Sequence, residues 1–65
     1  MKWRNISCSE KAVDKCVKFL DENNIKRGEP FETDGIWRVP YLAIGKVQQD
    51  IVNDYIVALI LHDEL

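Results

Sequence analysis

The sequence has few of the residues that would place it in a specialised class of small proteins. Its two cysteines are too few for the disulfide framework of a small secreted domain. Its three glycines are isolated, which excludes a glycine-rich phosphate-binding loop. Its longest apolar run, residues 55–61, is far shorter than the ~20 residues of a membrane-spanning helix. Because no apolar segment follows Met1, we expect no signal peptide, a cytoplasmic location and no membrane partner.

Residues that could carry catalysis are equally sparse. The zinc-protease, serine-hydrolase and calcium-loop motifs are absent. The adjacent acid–base candidates are His62 with Asp63 or Glu64, at the end of the chain, where side chains are usually solvated. Cys8, Cys16 and His62 make one ligand fewer than a closed zinc site needs. Cys8 precedes a predicted helix, whose dipole would favour a reactive thiolate, but no general base lies near it in sequence. We therefore expect a non-enzymatic protein without a metal or cofactor.

Length and composition predict one globular α+β domain over residues 1–65. Sixty-five residues leave room for a single hydrophobic core, and 46% hydrophobic with 31% charged residues is ordinary for a folded protein. A domain of this size buries only about 60% of its unfolded surface, so its stability is marginal and a partner subunit often supports it. The net charge of −2 is unevenly placed, because residues 1–28 sum to +3 and residues 29–65 sum to −5.

The first third of the chain predicts a strand followed by a helix. Residues 2–6 alternate between polar and apolar, as in a half-buried edge strand. Apolar residues then recur with the spacing of one helix face, at Val13, Cys16, Val17 and Leu20. Ser7 and Glu10 have the spacing of a capping box, and Ser9 is an alternative N-cap. The helix is expected to end at residues 23–24, because Asn tolerates the left-handed conformation.

A β-hairpin is predicted over residues 31–39. Asp34 and Gly35 join two short segments with β-type alternation, and both residues accept the positive φ of a type I′ turn. The segment before the hairpin, residues 26–30, is interpreted as a connector. Pro40 is expected to end the second strand or to lie on an edge, because it has no amide hydrogen to donate.

The last third predicts a second helix from Lys46. Residues 41–45 are compatible with either a strand or a helix. Beyond them, apolar residues recur every four positions at Val47, Ile51, Tyr55 and Leu59. Every residue from 55 to 61 is apolar, and a helix that is apolar all round is normally buried all round. The predicted order is approximately βαββα, a small single-layer sheet packed by two helices.

The apolar C-terminal helix favours self-association. One hairpin and one other helix are too small to cover it, and burying one more large aliphatic side chain contributes roughly 1.5–3 kcal/mol. We therefore expect a protein-binding or regulatory module, homodimeric through this helix, with a further protein partner left open. A monomer whose sheet and first helix enclose the run is the alternative. The expected interface residues are Trp3, Trp37, Tyr55, Ile56, Leu59 and Ile60.

Nucleic-acid binding is the alternative function. Basic residues on the first helix and around the hairpin could contact phosphates: Lys11, Lys15, Lys18, Lys26, Arg27 and Arg38. The segment 34–40, with Trp37 and Arg38, resembles the wing of excisionase-type winged-helix proteins, and the resemblance implies DNA contact through the hairpin. It covers about seven residues and lacks the two-helix reading head that precedes the wing in that family. Nearby Glu29, Glu32 and Asp34 are negative where a wing is positive.

Two short motifs of the secretory pathway occur in the sequence. Residues 5–7 match the N-glycosylation sequon, and residues 62–65 match a retrieval signal of the endoplasmic reticulum. Both have meaning only inside that pathway, to which no predicted segment directs the chain, so we interpret both as chance matches.

Overall fold

The computed structural model describes residues 2–62 and confirms the predicted small α+β fold. Two helices accompany a four-stranded antiparallel sheet. The elements follow the order β1 (Arg4–Cys8), α1 (Glu10–Glu22), β2 (Lys26–Arg27), β3 (Phe31–Thr33), β4 (Ile36–Leu42) and α2 (Gly45–Leu61).

β4 is the central strand, and every other strand pairs with it in the antiparallel direction. β1 lies along one side of β4, with Ile6 opposite Val39. It is an edge strand as predicted, but it begins two residues later than residues 2–6 and extends to Cys8. The shift follows from burial, because Ile6 and Cys8 are the side chains of β1 that reach the core.

β2 and β3 lie end to end along the other side of β4, so the interpretation of residues 26–30 as a connector was wrong in part. Arg27 pairs with Tyr41, and Phe31 pairs with Arg38. Phe31 follows Arg27 by four positions, whereas their partners Tyr41 and Arg38 are only three positions apart. One extra residue therefore interrupts this edge, as in a β-bulge.

Pro40 lies inside β4, the central strand, so the prediction that it ends the strand or lies on an edge was wrong. Its carbonyl oxygen accepts a hydrogen bond from the Gly28 amide at 3.0 Å. In an extended strand the amide and carbonyl of one residue point to the same side, so the proline nitrogen faces the interrupted edge between β2 and β3. On that side of β4 no strand residue is paired with Pro40. The absence of an amide hydrogen on Pro40 therefore removes no hydrogen bond between strands.

The hairpin turn is confirmed at the predicted residues. Asp34 has a φ of 55° and Gly35 a φ of 82°, the two positive values that a type I′ turn requires. The Gly35 amide also donates a hydrogen bond of 2.8 Å to Glu32 Oε2, which fixes the turn to its own strand.

α1 begins after Ser9 and ends at Glu22, close to the predicted bounds. The capping-box prediction was wrong, because Ser7 lies in β1, whereas the alternative N-cap Ser9 is confirmed in position. The Ser9 side chain makes no cap hydrogen bond. Asn24 has a φ of 56°, the left-handed conformation that was expected at this end of the helix. The buried face is formed by Ala12, Cys16 and Leu20.

Both helices pack on the same face of the sheet, which we call the covered face. Tyr41 and Val39 of β4 point into this face and are buried together with Val52 and Leu59 of α2. The side chain of Gln49 donates to the Tyr41 hydroxyl at 3.1 Å, which ties α2 to the central strand. The segment that was left open is strand at residues 41–42, and α2 begins at Gly45.

Candidate protein interface

The last two turns of α2 carry a group of apolar side chains that the subunit leaves exposed. Val57, Ile60 and Leu61 are 53%, 59% and 77% exposed, and Ala58 beside them is also exposed. We call these four residues the C-terminal patch. Val57 and Leu61 lie on the side of α2 opposite to the buried Val52, and Ile60 and Ala58 flank them on either side, so the patch points away from the core.

Polar residues border the C-terminal patch toward the start of α2. On the same outward side, the earlier turns present Asp50, Asn53 and Asp54, all exposed. Lys46 Nζ lies 3.3 Å from Asp50 Oδ2, an exposed ion pair one turn apart. Apart from Val47, which is 73% exposed near the start of the helix, the outward surface of α2 therefore changes from polar to apolar after Asp54.

The structure divides the six predicted interface residues into exposed and enclosed ones. Ile60 and Trp3 are exposed, the latter by 50%. Leu59 is 3% exposed and belongs to the core of the subunit, so it offers almost no surface to a partner. The other three, Trp37, Tyr55 and Ile56, are partly buried and pack against the core.

Sequence reasoning missed Val57 and Leu61 as interface candidates. An uninterrupted apolar run hides which face of a helix is core, because every position satisfies the pattern. The signal was nevertheless present, since Val57 and Leu61 are four residues apart and share one face, whereas Val52 and Leu59 share the opposite one. Assigning Val52 to the buried face would have placed Val57 and Leu61 on the exposed face.

The structure does not bring the six predicted basic residues together. Lys11, Lys15 and Lys18 are exposed on the side of α1 that faces away from Cys16 and the sheet. The register places Lys26 opposite Leu42 on the other face of the sheet, where Arg38 also lies. This second pair is therefore on the opposite side of the molecule from the α1 lysines.

Arg27, the remaining basic candidate, is neutralised within the subunit. Its Nε and Nη2 atoms donate to the two carboxylate oxygens of Asp21 at 2.8 and 3.1 Å. The hydrogen bonds from Arg27 hold the pKa of the Asp21 carboxyl below its ordinary value, and the same pair raises the pKa of Arg27. This bidentate geometry ties the end of α1 to β2.

Both cysteine thiols are buried and free. Burial raises the pKa of Cys8 above its ordinary value, against the direction in which the dipole of α1 would act. Burial, with an added contribution from neighbouring Cys8, raises the pKa of Cys16 to about 12. A hydrogen bond links the two thiols. At neutral pH both are therefore protonated core groups, without the thiolate that a nucleophile needs.

Among residues 2–62, no cluster of three or more His, Cys, Asp or Glu side chains could hold a metal ion. Neither helix in this range is long and apolar enough to cross a membrane. The proposed acid–base partners Asp63 and Glu64, and most of the 62–65 retrieval motif, lie outside the described residues.

Comparisons with protein-family models, with curated proteins and with solved structures found no significant match.

Proposed function

We propose that this protein is a non-enzymatic protein-binding module of the regulatory kind, and that it forms a homodimer through the C-terminal patch. The observation that carries the proposal is the exposure of Val57, Ile60 and Leu61 on one side of two helical turns. Contiguous exposed apolar groups bordered by polar residues are typical of protein interaction sites.

A second copy of the chain is the occupant that fits this surface. A two-fold axis places the same patch on both sides of the interface, so apolar side chains meet apolar side chains. Full-length antiparallel pairing of two α2 helices would instead place Asp50 against the partner's Val57 and Lys46 against the partner's Leu61. The two helices are therefore expected to cross near residues 57–61, with the aspartates at the solvated rim.

The size of the patch sets the expected strength of the dimer. A standard interface buries roughly 800 Å² per partner, about one sixth of the 4570 Å² surface of this subunit. A contact centred on four side chains is smaller, and association has a large entropic cost. We therefore expect a reversible dimer with a dissociation constant in the micromolar range or weaker.

Charge substitution in the patch tests this proposal. Ile60→Glu places a carboxylate within the expected interface, where burial without a partner is costly. We expect light scattering to show the mass of one chain at concentrations at which the unchanged protein is dimeric. Circular dichroism should remain unchanged, because the Ile60 side chain is exposed in the subunit.

Thr33→Glu is the matched control. It introduces the same charge at an exposed neutral residue on the other side of the sheet from the helices. This variant should dimerise as the unchanged protein does. The proposal fails if both variants lose association equally, or if the unchanged protein has no tendency to associate.

A further inference from the structure

The face of the sheet opposite to the helices, which we call the open face, has no helix of residues 2–62 packed on it. Alternation along the strands fixes its composition, because side chains directly opposite one another in a ladder share a face. Its strand residues are Asn5, Ser7, Lys26, Phe31, Thr33, Ile36, Arg38, Pro40 and Leu42.

One row across the open face combines three kinds of side chain. Arg38 on β4 is opposite Ser7 on one side and opposite Phe31 on the other. Neighbouring strands are about 4.8 Å apart, so the hydroxyl and the aromatic ring lie on either side of the arginine within roughly 10 Å. Phe31 is 42% exposed, so its ring is accessible to a ligand.

The strand residues of the open face sum to a positive charge, although the whole chain has a net charge of −2. Its charged strand residues are Lys26 and Arg38, and no strand residue on this face is acidic. Glu32 pairs with Trp37 and therefore belongs to the covered face, where its carboxylate accepts the hydrogen bond from Gly35.

Neither cation of the open face is neutralised within the described chain. Among residues 2–62, the side chains of Lys26 and Arg38 make no ion pair or hydrogen bond, unlike Arg27, which is paired with Asp21. Arg38 is nevertheless half-buried between its neighbours on the sheet. A half-buried guanidinium without a counter-charge is a favourable position for an anionic ligand.

We propose that the open face binds single-stranded nucleic acid. Phosphates would contact Arg38 and Lys26, a base would stack on the Phe31 ring, and Ser7 and Asn5 would supply hydrogen-bonding groups. A sheet face that combines an aromatic ring with basic side chains suits unstacked bases, because the bases of a duplex are not accessible for stacking. The α1 lysines lie on the opposite side of the molecule and take no part.

Fluorescence anisotropy with a labelled oligothymidylate of about ten nucleotides tests the proposal. We expect saturable binding at low salt that weakens with a log–log slope of about −1.4, since two phosphate contacts contribute about −0.7 each on a single strand. Arg38→Gln should lower the affinity and reduce the slope to about −0.7. Phe31→Leu, which keeps an apolar side chain but removes the ring, should weaken binding about fivefold or more without changing the slope.

Variants already chosen for the dimer serve as reciprocal controls. Thr33→Glu adds a negative charge to the open face and should weaken oligonucleotide binding while leaving association unchanged. Ile60→Glu should weaken association while leaving oligonucleotide binding unchanged. The two proposals therefore succeed or fail separately. Lys18→Gln, on α1, should leave oligonucleotide affinity within about twofold, since a surface charge on the far side of the molecule is largely screened.

Three results would overturn the proposal. The first is the absence of saturable binding at low salt. The second is equal loss of affinity in Lys18→Gln and Arg38→Gln, which would indicate a diffuse charge effect. The third is a combination of two results: Phe31→Leu keeps its oligonucleotide affinity, and Thr33→Glu no longer dimerises. This combination would indicate that the open face is a protein contact.

Discussion

The ring of Tyr55 on α2 lies parallel to the ring of Phe19 on α1, with centroids 3.9 Å apart and an angle of 3° between their planes. This stack joins the two helices side by side on the covered face. It also fixes the rotation of α2 about its axis, because Tyr55 turned toward α1 leaves Val57 and Leu61 facing solvent. The orientation of the C-terminal patch therefore depends on this aromatic pair.

A double-mutant cycle measures how strongly the stack couples the helices. We expect Phe19→Leu and Tyr55→Leu each to lower the free energy of unfolding, and the double variant to lower it by less than the sum. The coupling energy should be about 0.5–1.5 kcal/mol, the range for aromatic pairs beyond their buried area. Urea unfolding of the four proteins gives this value, and strict additivity would show that the rings do not interact.

Replacing leucine by alanine at positions 20 and 61 compares the same substitution at a buried and at an exposed site. Leu20 is fully buried, so Leu20→Ala should cost about 2–5 kcal/mol through lost burial and the cavity that remains. This cost approaches the entire stability of a domain of this size. Leu61→Ala should change unfolding of dilute monomer by less than about 0.5 kcal/mol, while weakening dimerisation. Equal costs for the two variants in dilute urea titrations would contradict the assignment of core and patch.

The raised pKa values of the buried thiols predict a loss of stability at high pH. Cys16 ionises at an ordinary pKa of 9.0 when unfolded but at about 12 when folded. Between these values the unfolded chain binds fewer protons, so the free energy of unfolding falls as pH rises. Cys16→Ala should show a shallower fall between about pH 8 and about pH 10.5 in urea titrations. Identical pH dependence in both proteins would exclude this contribution.

The turn glycine should be sensitive to any side chain. Gly35→Ala places a β-carbon on a residue with a φ of +82°, so we expect a destabilisation of about 1 kcal/mol although the site is otherwise open. Asp34→Asn should be nearly neutral, because asparagine adopts the left-handed conformation easily. Thermal unfolding of both variants measures the difference. A neutral Gly35→Ala would show that the backbone of the turn relaxes.

Local chemistry explains which parts of this fold could be predicted from sequence. The turn at Asp34 and Gly35 depends on two residues that accept positive φ, and α1 depends on a spacing that is complete within one segment. β2 could not be predicted in this way, since Lys26 and Arg27 become a strand only because β4 continues past Pro40. The tolerance of Pro40 likewise depends on the interrupted edge opposite it.

The exposure of individual side chains was harder to predict, because it depends on how the helices and the sheet pack together. The sequence indicates an excess of apolar residues in 55–61, but packing against the sheet and Phe19 determines that Leu59 is enclosed and Val57 is not. In the same way, six basic residues look equivalent in sequence. Only the folded chain separates Arg27, which is neutralised, from Arg38, which has no counter-charge among residues 2–62.

Sedimentation equilibrium of the unaltered protein tests the central claim most directly, because it requires no substitution. We predict an average mass close to 7.6 kDa in dilute solution that rises toward twice this value as the concentration increases through the micromolar and millimolar ranges. A single mass of 7.6 kDa over the whole range would contradict the proposal that the C-terminal patch joins two copies of the chain.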